Sequence, residues 1–330
     1  MSSRFKKYGA TMKIFVTGAT GFIGKHLCLR LKLLGHNVVT ISRHPIMVVK
    51  KDNQKNNHVV IDLGETDRSK ESYYLFENLC SHHKPDVIFH LASSAVVKPD
   101  EEDPHRIILD NTVSTQKVAH YAPKGCRVVL ASSVIVYGDW LFEKGDDTNR
   151  RYSEVSTCKP TSIYGMTKRA SESIIESYTL SGKIDGVSAR LCATIGSGLT
   201  HGIIKDFIRK IKSDNPYLEA LGSHPGSTKP FCHIEDTVEA LIMLGTEKGI
   251  KGEIFNVVPD DSISVEEVAE AAMSALEIDK PIKWLGEDAN WKGDNRIIRT
   301  NNSLLKEAGW NLKFAKSKDV IFDIVSRSKS

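Results

Sequence analysis

The sequence predicts an α/β protein built on a doubly wound parallel sheet, and two observations lead to this fold class. First, short apolar segments rich in β-branched residues alternate with segments that have helical periodicity. Second, the apolar segment over residues 13–17 leads into a glycine-rich turn and then directly into a helix. The alternation of strands and helices predicts a parallel sheet with helices on both faces.

The turn after the first predicted strand contains Gly18, Gly21, Phe22, Ile23 and Gly24. Glycine lets the backbone approach a pyrophosphate closely, and the N-terminus of the following helix offers N–H groups and a partial positive charge to phosphates. The glycines are spaced Gly-x-x-Gly-x-x-Gly rather than Gly-x-Gly-x-x-Gly, so the turn is a variant of the dinucleotide fingerprint. The alternative interpretation is a plain corner between a strand and a helix.

The second predicted strand, over residues 36–42, ends in Ser42, Arg43 and His44. A dinucleotide without a 2′-phosphate usually meets an Asp or Glu here, which accepts hydrogen bonds from the adenosine ribose. A hydroxyl and a guanidinium suit a 2′-phosphate instead, because Arg offers charge and a planar fork of donors. The sequence therefore favours NADP over NAD, and an Arg43 side chain that points to solvent is the alternative.

Three further predicted strands end where the same ligand would lie, beyond the carboxyl edge of the sheet. The third strand ends in Asp62 and Leu63, which are placed to bond the adenine amino group and to cover its ring. The fifth strand ends in Ser133. The fourth strand runs into a loop whose small residues let the backbone lie along a cofactor: Leu91, Ala92 and Ser93.

Two polar residues stand out against their surroundings. His90 lies in the apolar fourth strand and is interpreted as a packed histidine rather than a catalyst. A helix is predicted over residues 107–121, and the amide of Asn111 is unusual within it. Asn111 is therefore a candidate for binding rather than for packing.

A helix predicted over residues 162–178 carries Tyr164 and Lys168, which are four residues apart and share one face. A free tyrosine has a pKa of about 10 and is a poor base at neutral pH. A neighbouring ammonium favours the phenolate, so the spacing predicts a lowered pKa for Tyr164. Lys168 can also hold the nicotinamide ribose, and Ser133 can polarise the substrate oxygen that Tyr164 protonates. These three residues are the predicted catalytic set.

Composition is that of a globular protein with a sizeable core, at 330 residues with 40% hydrophobic and 26% charged residues. The net charge of +4 is too small to indicate nucleic acid. Six cysteines lack a Cys-x-x-Cys pair or a metal spacing, so we expect reduced thiols, a cytoplasmic protein and no metal site. No apolar run reaches the roughly 20 residues of a membrane span.

The chain is predicted to divide into three parts. Residues 1–11 form a leader that is expected to be disordered, since it has basic residues but no apolar stretch. Residues 12–182 form the dinucleotide-binding domain. Residues 183–330 form a substrate-binding lobe, where the alternation of strands and helices loosens; segments of the two are free to interleave.

Taken together, these motifs resemble an extended short-chain dehydrogenase/reductase of the nucleotide-sugar epimerase/dehydratase family. Its residues here are Thr17-Gly-Ala-Thr-Gly-Phe-Ile-Gly24, His90-Leu-Ala92, Asn111, Ser132-Ser133-Val-Ile-Val-Tyr-Gly138, Tyr164-x-x-x-Lys168, Ala189-Arg190-Leu191, Phe231-Cys-His-Ile-Glu235-Asp236 and Phe255-Asn256-Val257. The resemblance implies a Rossmann-type fold with a smaller C-terminal lobe. It also implies a cytosolic enzyme, often a dimer, that moves a hydride between NAD(P) and a sugar carbon, usually on a nucleoside diphosphate sugar.

The sequence departs from the family pattern at informative positions. Dehydratases carry an Asp-Glu pair after the catalytic hydroxyl, whereas Val134 and Ile135 stand here and cannot transfer a proton. Relatives often place an Asn after the Arg-Leu motif to contact the sugar diphosphate, whereas this chain has Ala193. The substrate positions that the resemblance implies are Ser94, Ser133, Tyr164, Ala193, Lys229, Lys292 and Asp294.

The leading prediction is an NADP-dependent reductase of a nucleotide-activated keto-sugar, with Tyr164 as proton donor. The alternative is a nucleotide-sugar 4-epimerase that retains NAD and uses the same residues. Arg43 favours the reductase, because retained cofactor is usually NAD held through an acidic residue. A remote alternative from another class is a regulator that binds NADP(H) without turnover.

Overall fold

The fold is described from a computed structural model, over residues 10–45, 57–95, 103–142, 150–250, 253–286 and 295–328. The strands are β1 (Lys13–Thr17), β2 (Asn37–Ser42), β3 (His58–Val60), β4 (Val87–His90), β5 (Arg127–Ser133), β6 (Asp185–Leu191), β7 (Ala193–Ile195), β8 (Leu218–Ala220), β9 (Thr228–Lys229), β10 (Phe231–His233), β11 (Ile254–Val257), β12 (Ile263–Ser264) and β13 (Ile282–Trp284).

The helices are α1 (Phe22–Leu33), α2 (Glu71–His83), α3 (Pro104–Ile108), α4 (Ser114–Tyr121), α5 (Ile163–Leu180), α6 (Ile203–Ile211), α7 (Ile234–Thr246), α8 (Val265–Leu276), α9 (Ser303–Glu307) and α10 (Ser317–Ser326). A π-helical segment, Leu109–Val113, joins α3 to α4. The continuous helix predicted over residues 107–121 is thus interrupted. Among the described residues, no helix combines the length and apolar character that a membrane crossing requires.

Contacts divide the chain into two compact units that interleave along the sequence. The first unit comprises residues 1–132, 166–190 and 238–255, and the second comprises the remaining three segments, 133–165, 191–237 and 256–330. The ranges 12–182 and 183–330 stay a prediction. Of the predicted leader, only residues 10 and 11 belong to the described part of the chain.

The sheet of the first unit contains seven of the described strands in the order β11-β6-β5-β4-β1-β2-β3. The parallel register places Phe15 beside Ile88 on β4, and Ile88 beside Val128 on β5. These three side chains are fully buried, in a core that also includes Phe76 of α2. β4 is buried along its whole length, as expected of a central strand in a parallel sheet covered by helices. The predicted doubly wound α/β fold class is confirmed.

The second unit pairs its short strands two by two, as β10 with β7, β12 with β9 and β13 with β8. Its core is helical, formed where α6, α8 and α10 bring together residues such as Phe207, Ala272 and Ile321. Helix α8 begins with a capping box, in which Ser264 and Glu267 each bond the other's backbone N–H.

Candidate active site

A cavity of about 200 Å³ lies at the carboxyl ends of β1, β2 and β4 in the first unit. Its lining includes nine of the predicted cofactor residues: Gly18, Gly21, Ser42, Arg43, Asp62, Leu63, Leu91, Ala92 and Ser93. The lining also includes Asp110 and Ser114, which the sequence did not single out. The other predicted cofactor residues are not among the lining residues: Phe22, Ile23, Gly24, Asn111, Tyr164 and Lys168.

The glycine-rich turn comes very close to the loop that follows β4. Gly18 has a φ of 68°, and a Cβ on it would lie 2.6 Å from the backbone nitrogen of Ala92. Gly21 precedes α1, whose first turn carries no acidic side chain. Open N–H groups at a helix N-terminus, reached through a turn that has glycine at residues 18 and 21, fit a pyrophosphate. Phe22, Ile23 and Gly24 form that first turn, where an α-helix leaves its backbone N–H groups without a partner inside the helix.

The polar ends of β2 and β3 are engaged with protein groups. Ser42 Oγ donates to the carbonyl oxygen of His44 at 2.6 Å and lies 3.3 Å from His58 Nε2. The Arg43 side chain is 43% exposed, but it does not simply point to solvent, because its Nη1 donates to Asp110 Oδ2 at 2.9 Å. Asp62 accepts two bonds from Arg106, at 3.0 and 2.9 Å.

Asn111 lies under the loop after β4 and holds it in place. Its Oδ1 accepts from Ser93 Oγ at 2.9 Å and from the backbone N–H of Ser94 at 2.8 Å. Its Nδ2 donates to the carbonyl oxygen of Ser94 at 3.1 Å and to Thr167 Oγ1 at 2.9 Å. The amide therefore shapes the cavity by positioning the loop that lines it.

His90 is a packed residue of the core of the first unit. Its ring nitrogens lie 2.8 Å from Thr17 Oγ1 and 3.1 Å from Thr115 Oγ1. Burial, with a smaller contribution from the charge of Lys168, lowers the pKa of His90 to about 3. A neutral imidazole in a network of hydroxyls agrees with its interpretation as a packed histidine.

Lys168 lies on α5 in the first unit, where its Nζ donates to the carbonyl oxygen of Ala131 at 2.8 Å. Burial lowers the pKa of Lys168 to about 8, although the carboxylate of Glu172, one turn further along the helix, opposes this shift. Glu172 itself accepts from Ser132 Oγ at 2.6 Å and forms a bidentate pair with Arg190, with both contacts at 2.8 Å. The role of Glu172 was missed, although its spacing of four from Lys168 was visible.

In the second unit, Ser133 at the end of β5 is hydrogen-bonded to Tyr164 in the first turn of α5. Ser133 Oγ also accepts from the backbone N–H of Ile135 at 3.3 Å. The prediction that the pKa of Tyr164 is lowered is wrong for this structure. Desolvation of the phenol raises its pKa, and the bond with Ser133 offsets that rise only in part. The spacing from Lys168 did not reveal how strongly the phenol is desolvated.

The predicted substrate residues are placed as follows. Ala193 is exposed in β7, and Lys229 is half-buried in β9, opposite Ile263. Ser94 is buried and its backbone is bound by Asn111. Lys292 and Asp294 lie outside the described residues.

The profile of the NAD dependent epimerase/dehydratase family matches residues 14–257. Among curated relatives, the chain is 29% identical over 270 residues to a UDP-N-acetyl-alpha-D-glucosaminuronate decarboxylase of Bacillus cytotoxicus, covering 78% of each chain. It is 26% identical to a GDP-mannose 3,5-epimerase of Arabidopsis thaliana, covering 91% of this chain and 78% of that one.

Solved structures show the same fold at lower identity. The UDP-glucose 4-epimerase of Thermus thermophilus, solved in complex with NAD, superimposes with a TM-score of 0.75 at 22% identity, covering 95% of this chain and 99% of that one. A UDP-galactose 4-epimerase superimposes with a TM-score of 0.73 at 24% identity, covering 96% and 99% of the two chains.

Proposed function

The chain is an enzyme of the NAD dependent epimerase/dehydratase family, and on that premise we propose that it transfers a hydride between a nicotinamide dinucleotide and a nucleotide-linked sugar. The observation that carries the proposal is the hydrogen bond between Ser133 and Tyr164. Because the two hydroxyls are this close, both can bond the same oxygen of a substrate. The Tyr164 hydroxyl can also exchange a proton with that oxygen. Lys168 follows one turn later on the same helix.

In the proposed reaction, the bound dinucleotide supplies the hydride. Tyr164 donates a proton to the substrate oxygen, and Ser133 holds that oxygen in place. Lys168 is assigned to bind the nicotinamide ribose. These three residues are assigned the catalytic roles, and the lining of the cavity together with the first turn of α1 is assigned to the dinucleotide.

The candidate reaction that we favour is the reduction of a keto-sugar by NADPH. Ser42 and Arg43 line the cavity, and no acidic residue follows β2 within residues 42–45. Val134 and Ile135 follow Ser133 and offer no group for an elimination, so dehydration is not part of the proposal. Ser94, Ala193, Lys229, Lys292 and Asp294 are proposed to face the sugar nucleotide, and a cytoplasmic homodimer completes the proposal.

The second candidate is a 4-epimerase that retains NAD. It is supported by the family, described as NAD dependent, and by structural neighbours that are 4-epimerases. Dinucleotide extracted from freshly purified protein distinguishes the two candidates. Tightly held NAD supports the epimerase, whereas protein that is purified empty and turns over added NADPH supports the reductase.

The test of the shared chemistry is Tyr164→Phe, which keeps the ring but removes the proton donor. Turnover should fall by about 10²- to 10⁴-fold, the usual contribution of general acid–base catalysis, while dinucleotide affinity barely changes. The matched control is Tyr178→Phe on the same helix, whose hydroxyl contacts Gln116 and His120 instead. Full turnover in the Tyr164 variant, measured with a panel of nucleotide sugars, would remove the assignment.

A further inference from the structure

One carboxylate in the cavity belongs to no motif of the sequence. Asp110 is 8% exposed and lines the same cavity as Arg43. It accepts hydrogen bonds from two guanidinium groups, at 2.9 Å from Arg43 and at 2.7 Å from Arg106. The acid that NAD usually meets at the end of β2 is missing here, and Asp110 brings an acid into the cavity from another part of the chain.

The backbone at Asp110 explains how the carboxylate reaches this place. Asp110 and Asn111 lie in the π-helical segment Leu109–Val113, and both are buried. Asn111 bonds the loop after β4, whereas Asp110 faces the cavity and the arginines. Two consecutive polar residues of the π-helical segment therefore bond different partners. π turns inside α-helices occur often at functional sites.

Among the described residues, arginines and carboxylates at the cavity pair with one another. Arg106 bridges Asp110 and Asp62, so two guanidinium groups and two carboxylates form one chain from the end of β2 to the end of β3. Arg43 alone would attract a 2′-phosphate. Asp110 competes with the 2′-phosphate for the Arg43 guanidinium. The Asp110 carboxylate also repels the 2′-phosphate, because both groups are anionic.

We propose that Asp110 is a specificity-determining residue that weakens NADP relative to NAD, so that the enzyme accepts both. The inference rests on the proposed function, since it requires a dinucleotide in the cavity. With a 2′-hydroxyl, nothing competes with Asp110 for Arg43, and the ion pair stays intact. With a 2′-phosphate, Arg43 must divide its donors between two anions.

The experiment measures dissociation constants of NADPH and NADH for the full chain without sugar, by titration of the dinucleotide fluorescence. Asp110→Asn should tighten NADPH by roughly fivefold or more, the scale of one screened interaction between unit charges about 4 Å apart. NADH affinity should change by less than about twofold, because NADH has no 2′-phosphate for Arg43 to reach. The matched control is Asp185→Asn, which breaks another Asp–Arg pair of the first unit, with Arg127, outside the cavity lining.

Each outcome decides a separate question. Equal changes for both dinucleotides, an unchanged ratio or weaker NADPH would overturn the role of Asp110. If Asp110→Asn does not fold, Asp110→Ser removes the same charge and must show the same selective gain. Wild-type protein that binds neither dinucleotide would overturn the proposed function itself, whereas normal binding with an unchanged ratio in the variants would overturn only the inference on Asp110.

Discussion

Two arginine–carboxylate clusters of the first unit contain the same chemical groups in different surroundings. The pair of Glu172 and Arg190 has side chains that are 0% and 2% exposed. The pair of Asp110 and Arg43 has side chains that are 8% and 43% exposed. Water and ligands reach one guanidinium and not the other, so only the second pair can exchange a partner when something binds.

The two clusters also connect different elements. Glu172 on α5 binds Ser132 on β5 and Arg190 on β6, and therefore fastens helix to sheet next to the strand end that carries Ser133. Asp110 connects the π-helical segment to the residue after β2 and, through Arg106, to Asp62 after β3. The first cluster holds regular elements together, and the second holds the rim of a cavity.

The largest effect is expected for Glu172→Gln. Removing one partner of a buried ion pair leaves the other charge uncompensated, so the free energy of unfolding should fall by about 3–5 kcal/mol. Urea unfolding measures this loss.

The control is Glu176→Gln, one turn further along α5, where the residue is exposed. Surface substitutions of this kind usually change stability by no more than about 0.5 kcal/mol. A loss below about 1 kcal/mol for Glu172→Gln would show that burial does not separate the two clusters.

A smaller effect, dependent on pH, is expected from a third polar cluster, which is buried but uncharged. The pKa of His90 is lowered from 6.5 to about 3, so the unfolded chain binds a proton that the folded protein does not. The stability from the neutral ring is present above pH 6.5 and is lost as the pH falls toward 3. Between pH 6.5 and 5 the loss from this group is about 2 kcal/mol.

His90→Asn removes the titrating group, so its unfolding free energy should fall less steeply between pH 6.5 and 5. His120→Asn serves as control, because His120 is exposed on α4. If wild type and His90→Asn lost stability in parallel over this range, His90 would not be the group that titrates. Burial would then not distinguish polar groups that stabilise the fold from polar groups that can change their partner when a ligand binds.

The sequence sufficed for those features that depend on local periodicity. Alternating strands and helices predicted the sheet. The glycine turn was predicted to let the backbone approach a pyrophosphate, and the structure shows that Gly18 has no room for a side chain beside Ala92. The strand ends at Ser42 and Asp62 were correctly expected at one edge, since parallel strands share it.

The sequence did not predict features that depend on contacts between residues far apart in the chain. The direction of Arg43 is set by Asp110, which is 67 residues away. The π-helical segment lies between two α-helical segments, so residues 107–121 looked like one continuous helix. The pKa of Tyr164 depends on how much protein surrounds the phenol, and no spacing of two residues contains that information.

The smallest change in stability is expected for Arg43→Ala, which tests the exposed pair of the two arginine–carboxylate clusters. Its guanidinium is 43% exposed, and ion pairs of such groups contribute about 0–1 kcal/mol to folding. The same change should weaken NADPH by at least tenfold, because a hydrogen bond to a charged group is worth about 1.5–3 kcal/mol. NADH affinity should hardly change.

The measurement pairs urea unfolding with dinucleotide titration on the same protein samples. Arg43→Lys is the matched variant, since it keeps the charge but lacks the planar fork of donors, and should fall between wild type and alanine. Equal losses for NADPH and NADH would exclude Arg43 as the phosphate ligand. A stability loss as large as that of Glu172→Gln would place Arg43 among the structural arginines, and the cavity cluster would then be part of the framework rather than of the binding surface.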